Sequence, residues 1–242
     1  MRYLMTFSYD GTNYNGYQKQ PNKNTVQDKI EQALFKITNT NITIHSSGRT
    51  DSKVHALNQK AHFDLDKEMD LYKLKKGINS LIPDDIYIKD IVEVKDDFHA
   101  RFNVKKKIYI YKLNVGIYNP IDRNYIYQYN KNLDVNSMIE ASKYLLGEHN
   151  FKAFTKTDIS KDDYIRTIYD IKIKEKDNII TLEFIGNGFL RYMVRNIVGT
   201  LIRVGENKLK TEDICHILKS EDRKNAYKTA NPEGLYLKDV KY

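Results

Sequence analysis

Cysteine and tryptophan are the scarcest residues of this 242-residue chain, which contains one cysteine and no tryptophan. A single cysteine excludes an intrachain disulfide, so the sequence argues against a small secreted domain held together by disulfides. Cys215 lies among Ile214, Ile217 and Leu218. Because a free cysteine usually behaves as a small apolar residue, we interpret Cys215 as a packed helix residue and not as a reactive thiol.

Long apolar stretches are also missing from the sequence. No run approaches the roughly 20 apolar residues that a membrane-spanning helix needs. The N-terminal residues Met1–Tyr9 alternate like a strand, and they lack the apolar core and the small-residue cleavage site of a signal peptide. We therefore expect a cytoplasmic protein with no membrane partner.

Sequence motifs for metal ions and nucleotide cofactors are absent too. The six histidines show no zinc-ligand spacing with cysteine. There is no glycine-rich phosphate loop, no dinucleotide fingerprint and no serine nucleophile motif. The sequence therefore predicts that the protein works without a metal or an organic cofactor.

Basic residues and tyrosines are what the chain has in abundance. Lysine and arginine together number 40 against 32 acidic residues, which gives a formal net charge of +8, and there are 19 tyrosines. A hydrophobic fraction of 40% with a charged fraction of 30% is typical of a folded globular protein. A basic surface with many aromatic rings favours a nucleic-acid partner.

Strand and helix periodicities alternate along the chain in two similar halves. Each half reads approximately as strand, helix, strand, strand, helix, strand, which predicts an α+β protein built from two ferredoxin-like units. We place the N-terminal half at residues 1–97 and the C-terminal half at residues 98–242. Thr25 is the predicted N-cap of the first helix, and the most apolar helix is predicted from about Phe189 to Val204.

The stretch Ser46–Asp51 interrupts a predicted strand with a glycine, an arginine, a hydroxyl and a carboxylate. Gly48 permits a tight turn that can present the next side chains into a cleft. A positioned and ionised carboxylate such as Asp51 can act as a covalent nucleophile, and a nearby arginine keeps it ionised. The alternative is a surface turn closed by a local hydrogen bond and an ion pair.

Two further basic regions can each be interpreted in two ways. Arg191 and Arg195 are four residues apart in the predicted apolar helix, so they share one face and either reach solvent or pair with a buried acid such as Asp51. Aromatic and basic residues interleave in Phe98–Phe102 and in Lys105–Tyr111. These two stretches either bind phosphates and stack on bases, or form a charged edge strand.

Several motifs, in order along nearly the whole chain, resemble those of the tRNA pseudouridine synthase A family. They are Tyr9-Asp10-Gly11-Thr12 with Gly16-Tyr17-Gln18, Gly48-Arg49-Thr50-Asp51 with Val54-His55-Ala56, Phe98-His99-Ala100-Arg101-Phe102 with the Lys107–Tyr111 strand, Phe189-Leu190 with Met193–Leu201, and Gly234-Leu235-Tyr236-Leu237. The resemblance implies the pseudouridine synthase fold, in which two ferredoxin-like halves share a mainly antiparallel sheet with helices packed on it and a central cleft.

The resemblance also implies a role for each matching residue. Asp51 would be the catalytic aspartate, with Arg195 as its ion-pair partner. Arg49 would hold the flipped nucleotide or its phosphate, Tyr109 would stack on the target uracil, and Leu235 would line the apolar side of the pocket. A homodimer without metal or cofactor would act on RNA, most often on uridines of the tRNA anticodon arm.

Three positions depart from the family pattern. Lys53 stands where the family usually has glycine, Tyr17 where it usually has tryptophan, and Lys107 where arginine is common. Lys107 keeps its charge but loses the planar fork of arginine. None of the three removes a residue with an implied role, so they bear on the choice of RNA and not on the reaction.

Three alternatives to a tRNA enzyme remain open on the sequence. The first is the same activity on another structured RNA such as 23S ribosomal RNA. The second is a non-catalytic RNA-binding protein on the same scaffold, although such a protein would be free to lose Asp51 and Arg195. The third is a hydrolase of nucleoside glycosidic bonds, which would need a second carboxylate, for which Asp10 is the candidate.

Overall fold

The structure is a computed structural model, and it describes residues 1–156 and 163–242. Two compact units are present: residues 1–105 together with Tyr236–Tyr242 form the first, and Lys106–Leu235 form the second. The predicted division into halves at residues 97 and 98 stays a prediction. Within the described ranges, no helix is both long and apolar enough to cross a membrane.

The first unit contains a mainly antiparallel sheet with two helices. Its elements are β1 (Arg2–Tyr9), α1 (Val26–Thr38), β2 (His45–Ser46), β3 (His55–Asp64), α2 (Leu71–Leu81), β4 (Ile86–Val94) and β10 (Leu235–Lys241). The central strands lie in the order β4-β1-β3, and both β2 and β10 pair with β3. Among these pairings, only that of β10 with β3 is parallel.

Strand β1 shows why the first unit folds as it does. Tyr3, Met5, Phe7 and Tyr9 alternate along the strand and are all buried. This period of two places every second side chain on the same face of the sheet. Each fully buried apolar side chain contributes about 1.5–3 kcal/mol to stability, so the four residues fix which face of β1 belongs to the core.

The second unit is also built from a mainly antiparallel sheet and helices. Its elements are β5 (Lys106–Asn114), β6 (Tyr127–Gln128), α3 (Val135–Lys143), β7 (Gly147–Asn150), β8 (Ile165–Lys176), β9 (Ile179–Gly186), α4 (Met193–Gly205) and α5 (Asp213–Ser220). The strands lie in the order β5-β9-β8-β7, all antiparallel, and β6 pairs with β5 in parallel. The predicted α+β class with mainly antiparallel pairing is confirmed.

The start of the most apolar helix was predicted wrongly. Helix α4 begins at Met193, four residues later than the apolar pattern suggested, because Tyr192 adopts a left-handed backbone conformation with φ of 63°. A residue at such a φ interrupts the regular right-handed turn. Arg191 therefore lies outside the helix, and it does not share a helical face with Arg195.

Two local predictions in the first unit need a similar adjustment. Thr25 occupies the N-cap position of α1 as predicted, but its side chain makes no capping hydrogen bond. The strand that the stretch Ser46–Asp51 was predicted to interrupt is only two residues long, His45 and Ser46. Ile42 and Ile44 are buried but do not pair with a neighbouring strand, so the apolar character of these positions reflects burial in the core.

Candidate active site

The loop that carries Asp51 connects β2 with β3 and is fixed by hydrogen bonds from buried side chains. Gln59 is fully buried on β3, and its amide oxygen accepts from the Ser47 hydroxyl at 2.7 Å while its amide nitrogen donates to the Gly48 carbonyl at 3.0 Å. The hydroxyls of Tyr9 and Thr50 hydrogen-bond at 2.8 Å. The loop is thus held immediately before the carboxylate of Asp51.

The Tyr9 hydroxyl supports this loop as a neutral group. Burial raises the pKa of Tyr9 to about 12, against hydrogen bonds with Thr50 and Gln59 that lower it. A neutral phenol beside Thr50 offers both a donor and an acceptor without adding a charge near Asp51. We infer a structural role for Tyr9, since its ring also packs with Phe7 and Tyr17 in the core.

The glycine-rich turn of residues 10–17 packs directly against the Asp51 loop. The Tyr17 N–H donates to the Thr50 carbonyl at 3.2 Å. A Cβ atom at Gly16 would lie 2.9 Å from the Thr50 carbonyl oxygen, and one at Gly11 would lie 2.1 Å from the Val54 carbonyl oxygen. Both glycines are therefore required by close backbone approach, and the turn of residues 10–17 supports the Asp51 loop.

Lys53 adopts the backbone conformation that its position demands. Its φ is 63°, in the left-handed region that glycine enters freely and most other residues avoid. Its N–H donates to the Tyr14 carbonyl at 3.3 Å, and the Ser52 hydroxyl donates to the same carbonyl at 3.0 Å. The departure from the usual glycine therefore keeps the turn and adds backbone strain.

Asp51 is half-buried and Arg49 is exposed at the beginning of the same turn. The Asp51 carbonyl accepts from the Val54 N–H at 3.2 Å, so the backbone on both sides of this residue is bonded. A side chain on a fixed backbone loses little further freedom when it engages a substrate. The turn thus presents a carboxylate and an arginine from a rigid support.

Asp10 is engaged within its own turn. One of its carboxylate oxygens accepts from the Thr12 N–H at 2.9 Å and from the Thr12 hydroxyl at 2.6 Å. The same oxygen lies 3.1 Å from Nδ1 of His55. That nitrogen also accepts from the Gly11 N–H at 3.0 Å, so His55 connects the Asp10 turn with β3.

In the second unit, Tyr109 is held between strands. It pairs with Phe184 of β9, and its ring meets that of Phe189 edge to face, with centroids 5.2 Å apart. The side chain is 8% exposed. Phe189 belongs to a motif that resembles the family but had no implied role, and its contact with Tyr109 restricts the orientation of that ring.

The side chain of Arg195 extends from α4 and is oriented by contacts with its neighbours. Its Nε donates to the Ala230 carbonyl at 2.7 Å, and the Ala230 N–H donates back to the Arg195 carbonyl at 3.0 Å. The guanidinium lies 5.4 Å from the centre of the Tyr192 ring. A hydrogen bond and an aromatic neighbour together restrict the plane of this cation.

Leu235 is buried at the start of β10. It directly follows Gly234, where a larger residue would displace neighbouring atoms of β5. A Cβ at Gly234 would lie 2.5 Å from the Lys112 carbonyl oxygen and about 3 Å from the Tyr111 ring. The Tyr111 hydroxyl donates to the Asn231 carbonyl at 2.8 Å. Close packing on β5 therefore fixes the segment that ends in Leu235.

The candidate residues fall into two groups. Asp51 and Arg49 belong to the first unit, and Tyr109, Arg195 and Leu235 belong to the second. The supporting side chains could not be predicted from the sequence, because Gln59 lies in the polar run Asn58-Gln59-Lys60 of β3, where nothing distinguishes it from a solvent-facing residue. In residues 1–156 and 163–242, no group of three or more His, Cys, Asp or Glu side chains could hold a metal ion.

Comparisons with known proteins place these residues in a family context. A family model described as tRNA pseudouridine synthase matches residues 5–103 and 141–242. The chain is 42% identical to tRNA pseudouridine synthase A 1 of Bacillus cereus over 100% of this chain and 98% of that protein. It is 46% identical to tRNA pseudouridine synthase A 2 of Clostridium tetani over 97% and 96%.

Another relative and one solved structure complete the comparison. The chain is 44% identical to tRNA pseudouridine synthase A of Caldicellulosiruptor bescii over 99% of this chain and 98% of that protein. A Cbf5-Nop10-Gar1 complex aligns at 12% identity and a TM-score of 0.37 over 97% of this chain and 57% of that one, values from which no residue correspondence follows. The family match and the full-length identities establish that the chain belongs to the tRNA pseudouridine synthase family.

Proposed function

We propose that the protein isomerises uridine to pseudouridine in the anticodon arm of tRNA, with Asp51 as the catalytic carboxylate. The observation that carries the proposal is the built loop around Asp51, in which Gln59, Tyr9 and Gly16 fix the backbone around a half-exposed acid. The resemblance to tRNA pseudouridine synthase A over the full chain supports tRNA as the substrate.

The reaction moves the uracil from one attachment to another on the same ribose. The N1–C1′ glycosidic bond breaks, a C5–C1′ bond forms, N1 gains a proton and C5 loses one. The uridine must first leave the base stack, at a cost of a few kcal/mol. The Asp51 carboxylate acts either as a nucleophile at C1′ or C6, or as a base at the C2′ proton, and each route requires the ionised form.

The remaining site residues have proposed roles that follow from their chemistry. Arg195 pairs with Asp51 and keeps it ionised, which an adjacent guanidinium does by favouring the charged form of an acid. Tyr109 stacks on the uracil, Arg49 binds the phosphate of the flipped nucleotide, and Leu235 covers the base from its apolar side.

The first test uses Asp51→Asn and a control at an exposed acid, Asp66→Asn. Purified proteins are incubated with unmodified tRNA and ribosomal RNA transcripts, and pseudouridine is mapped by carbodiimide-stop sequencing. We expect the signal in the tRNA anticodon arm with wild type and with Asp66→Asn, and no signal with Asp51→Asn. Wild-type turnover by Asp51→Asn would contradict the assignment of this carboxylate.

The same experiment separates the alternatives. Pseudouridine in the ribosomal RNA would support the wider substrate range. Release of free uracil would support the hydrolase. RNA binding without any modified base would support a non-catalytic protein on this scaffold.

We also propose that Lys105, Lys106 and Lys107 bind the RNA backbone. The first two are exposed, and Lys106 lies 5.6 Å from the ring of Tyr169. Charge reversal at all three should reduce the slope of log K against log salt by about 2 to 3, as expected when that number of phosphate contacts is lost.

The control for this prediction is charge reversal of three lysines on α2, namely Lys73, Lys75 and Lys76. It makes the same change in net charge at a different place. An unchanged salt slope for the Lys105–Lys107 variant, or an equal change in the control, would show that these lysines are only a solvated edge.

A homodimer in the cytoplasm is the assembly and location that we propose from the family resemblance. Light scattering of the purified protein at micromolar concentration tests the dimer, which should have twice the chain mass of 28.5 kDa. A monomer that retains full activity would contradict this part of the proposal.

A further inference from the structure

A polar network centred on a buried asparagine packs against helix α4, and this asparagine directly follows Arg195 in the sequence. Asn196 is 1% exposed, and its amide nitrogen donates to the Phe154 carbonyl at 2.7 Å. Its amide oxygen accepts from the Thr229 hydroxyl at 2.6 Å and from Nη2 of Arg223 at 3.0 Å. Both lone pairs of this oxygen are thus used inside the protein.

Among the residues that the structure describes, the hydrogen-bond partners of Arg223 are all neutral oxygens. Besides Asn196, its terminal nitrogens donate to the Ala226 carbonyl at 2.8 Å, the Tyr227 carbonyl at 2.9 Å and the Thr229 hydroxyl at 3.2 Å. Burial lowers the pKa of the Arg223 guanidinium, and no carboxylate in the described ranges pairs with it. Desolvating a cation without a counter-ion is unfavourable, so stability alone does not explain why an arginine occupies this place.

The segment of residues 226–230, here called the strap, lies directly on α4. A Cβ at Gly199 would be 1.9 Å from the Lys228 carbonyl oxygen, so only glycine permits this approach. The Tyr227 N–H donates to the Thr200 hydroxyl at 3.1 Å. Asn196, Gly199 and Thr200 together form the surface of α4 on which Arg223 holds the strap.

The strap ends at Ala230, whose carbonyl accepts from Nε of Arg195. Since the guanidinium is planar, a bond at Nε together with the Tyr192 ring decides where the two terminal nitrogens point. Moving the Ala230 carbonyl therefore rotates the whole fork of Arg195.

We infer that Asn196 is a positioning residue for Arg195, acting through the strap with Arg223 and Thr229. This inference rests on the proposed pairing of Arg195 with Asp51. Loss of the Asn196 side chain should therefore lower the rate of the chemical step while RNA binding is retained, because Asn196 is buried and its amide is out of reach of a bound RNA.

The first test compares Asn196→Ala with Asn114→Ala. Asn114 is a matched control because it is 5% exposed in the same unit and its amide makes three hydrogen bonds, to Ile117, Gln128 and Gly116. We expect a similar loss of thermal stability in both variants. Only Asn196→Ala should lower the single-turnover rate at saturating tRNA, by about 10- to 100-fold, with the Kd for tRNA changed by less than about 3-fold.

A double variant asks whether Asn196 acts through Arg195. If it does, Asn196→Ala should have no further effect on the rate when Arg195 is already lysine. If the two effects multiply, Asn196 acts independently and the inference is overturned. A wild-type rate for Arg195→Lys alone would overturn the proposed role of Arg195, a result distinct from failure of the network.

Thr229 provides a milder pair of variants should Asn196→Ala fail to fold. Thr229→Val removes the hydroxyl and keeps the shape, and Thr229→Ser keeps the hydroxyl. We expect the rate to fall at least 5-fold in Thr229→Val and to remain within 2-fold of wild type in Thr229→Ser. Equal rates for the two variants would show that the strap is structural only.

Discussion

Replacing Gly16 by alanine tests whether the glycine-rich turn positions the Asp51 loop. Gly16 has φ of 101°, a conformation that an L side chain rarely adopts. An added Cβ would also lie 2.9 Å from the Thr50 carbonyl oxygen and 3.3 Å from the Asp51 carbonyl carbon. The substitution therefore combines backbone strain with a clash against the backbone that carries the proposed catalytic residue.

Gly147 separates these two effects because it shares only the strain. Its φ is 94°, yet the nearest atom to an added Cβ is Nε2 of His149 at 3.9 Å, an ordinary contact. Strain at such a φ costs about 1–2 kcal/mol, and forced backbone shifts add about 1–3 kcal/mol. We expect Gly147→Ala to lose about 1–2 kcal/mol of unfolding free energy and Gly16→Ala about 2–5 kcal/mol.

Activity should separate the two variants further. A shift of the Asp51 backbone by a few tenths of an ångström to about 1 Å should lower the single-turnover rate about 10- to 100-fold, and Gly147→Ala should react at the wild-type rate. The chain has no tryptophan, so unfolding in urea is followed by far-ultraviolet circular dichroism. A transition is fitted for each unit if two appear, since a two-unit chain need not unfold in one step.

Equal stability losses for Gly16→Ala and Gly147→Ala, with equal rates, would refute this reasoning. The close approach of the two turns would then have no energetic effect on the Asp51 loop, and the support from the glycine-rich turn would be absent.

Two further predictions concern a strained residue and a buried histidine. Lys53→Gly should raise the unfolding free energy by about 0.5–1 kcal/mol, measured in urea, because glycine relieves the left-handed strain; a lower stability would contradict this. Burial lowers the pKa of His62 to about 4, so its contribution to stability is present above pH 6.5 and is lost as the pH falls towards 4. Wild type should lose about 2–3 kcal/mol over this range; His62→Gln should lose less, and the exposed control His216→Gln should behave as wild type.

The stability effect at His62 has a structural origin in its neighbours. Its Nδ1 accepts from the Ala100 N–H at 3.1 Å, and its ring packs against those of His45 and His99. Protonation would replace this acceptor with a donor facing another donor. An equal loss of stability for His62→Gln and wild type between pH 7 and pH 4.5 would mean that other groups cause the loss of stability at low pH.

Local sequence patterns predicted the parts of the structure that depend on neighbours in the chain. The alternation in Met1–Tyr9 predicted a strand, and the apolar neighbours of Cys215 predicted a helix; the structure has them at Arg2–Tyr9 and Asp213–Ser220. The start of α4 was missed because Tyr192 departs from helical geometry for a reason outside its own segment. The Thr155 hydroxyl holds the Arg191 carbonyl at 2.8 Å, 36 residues away, and no periodicity reports such a bond.

Period, composition and contiguous motifs are local properties of the chain, so they were enough to predict the α+β class, the family and the importance of the stretch Gly48–Asp51. The contacts that hold those residues in place follow from the fold. Gln59 reaches Gly48 across 11 residues and Arg195 reaches Ala230 across 35. A hydrogen bond depends on atoms meeting within about 3 Å, and only the folded backbone decides which distant atoms meet.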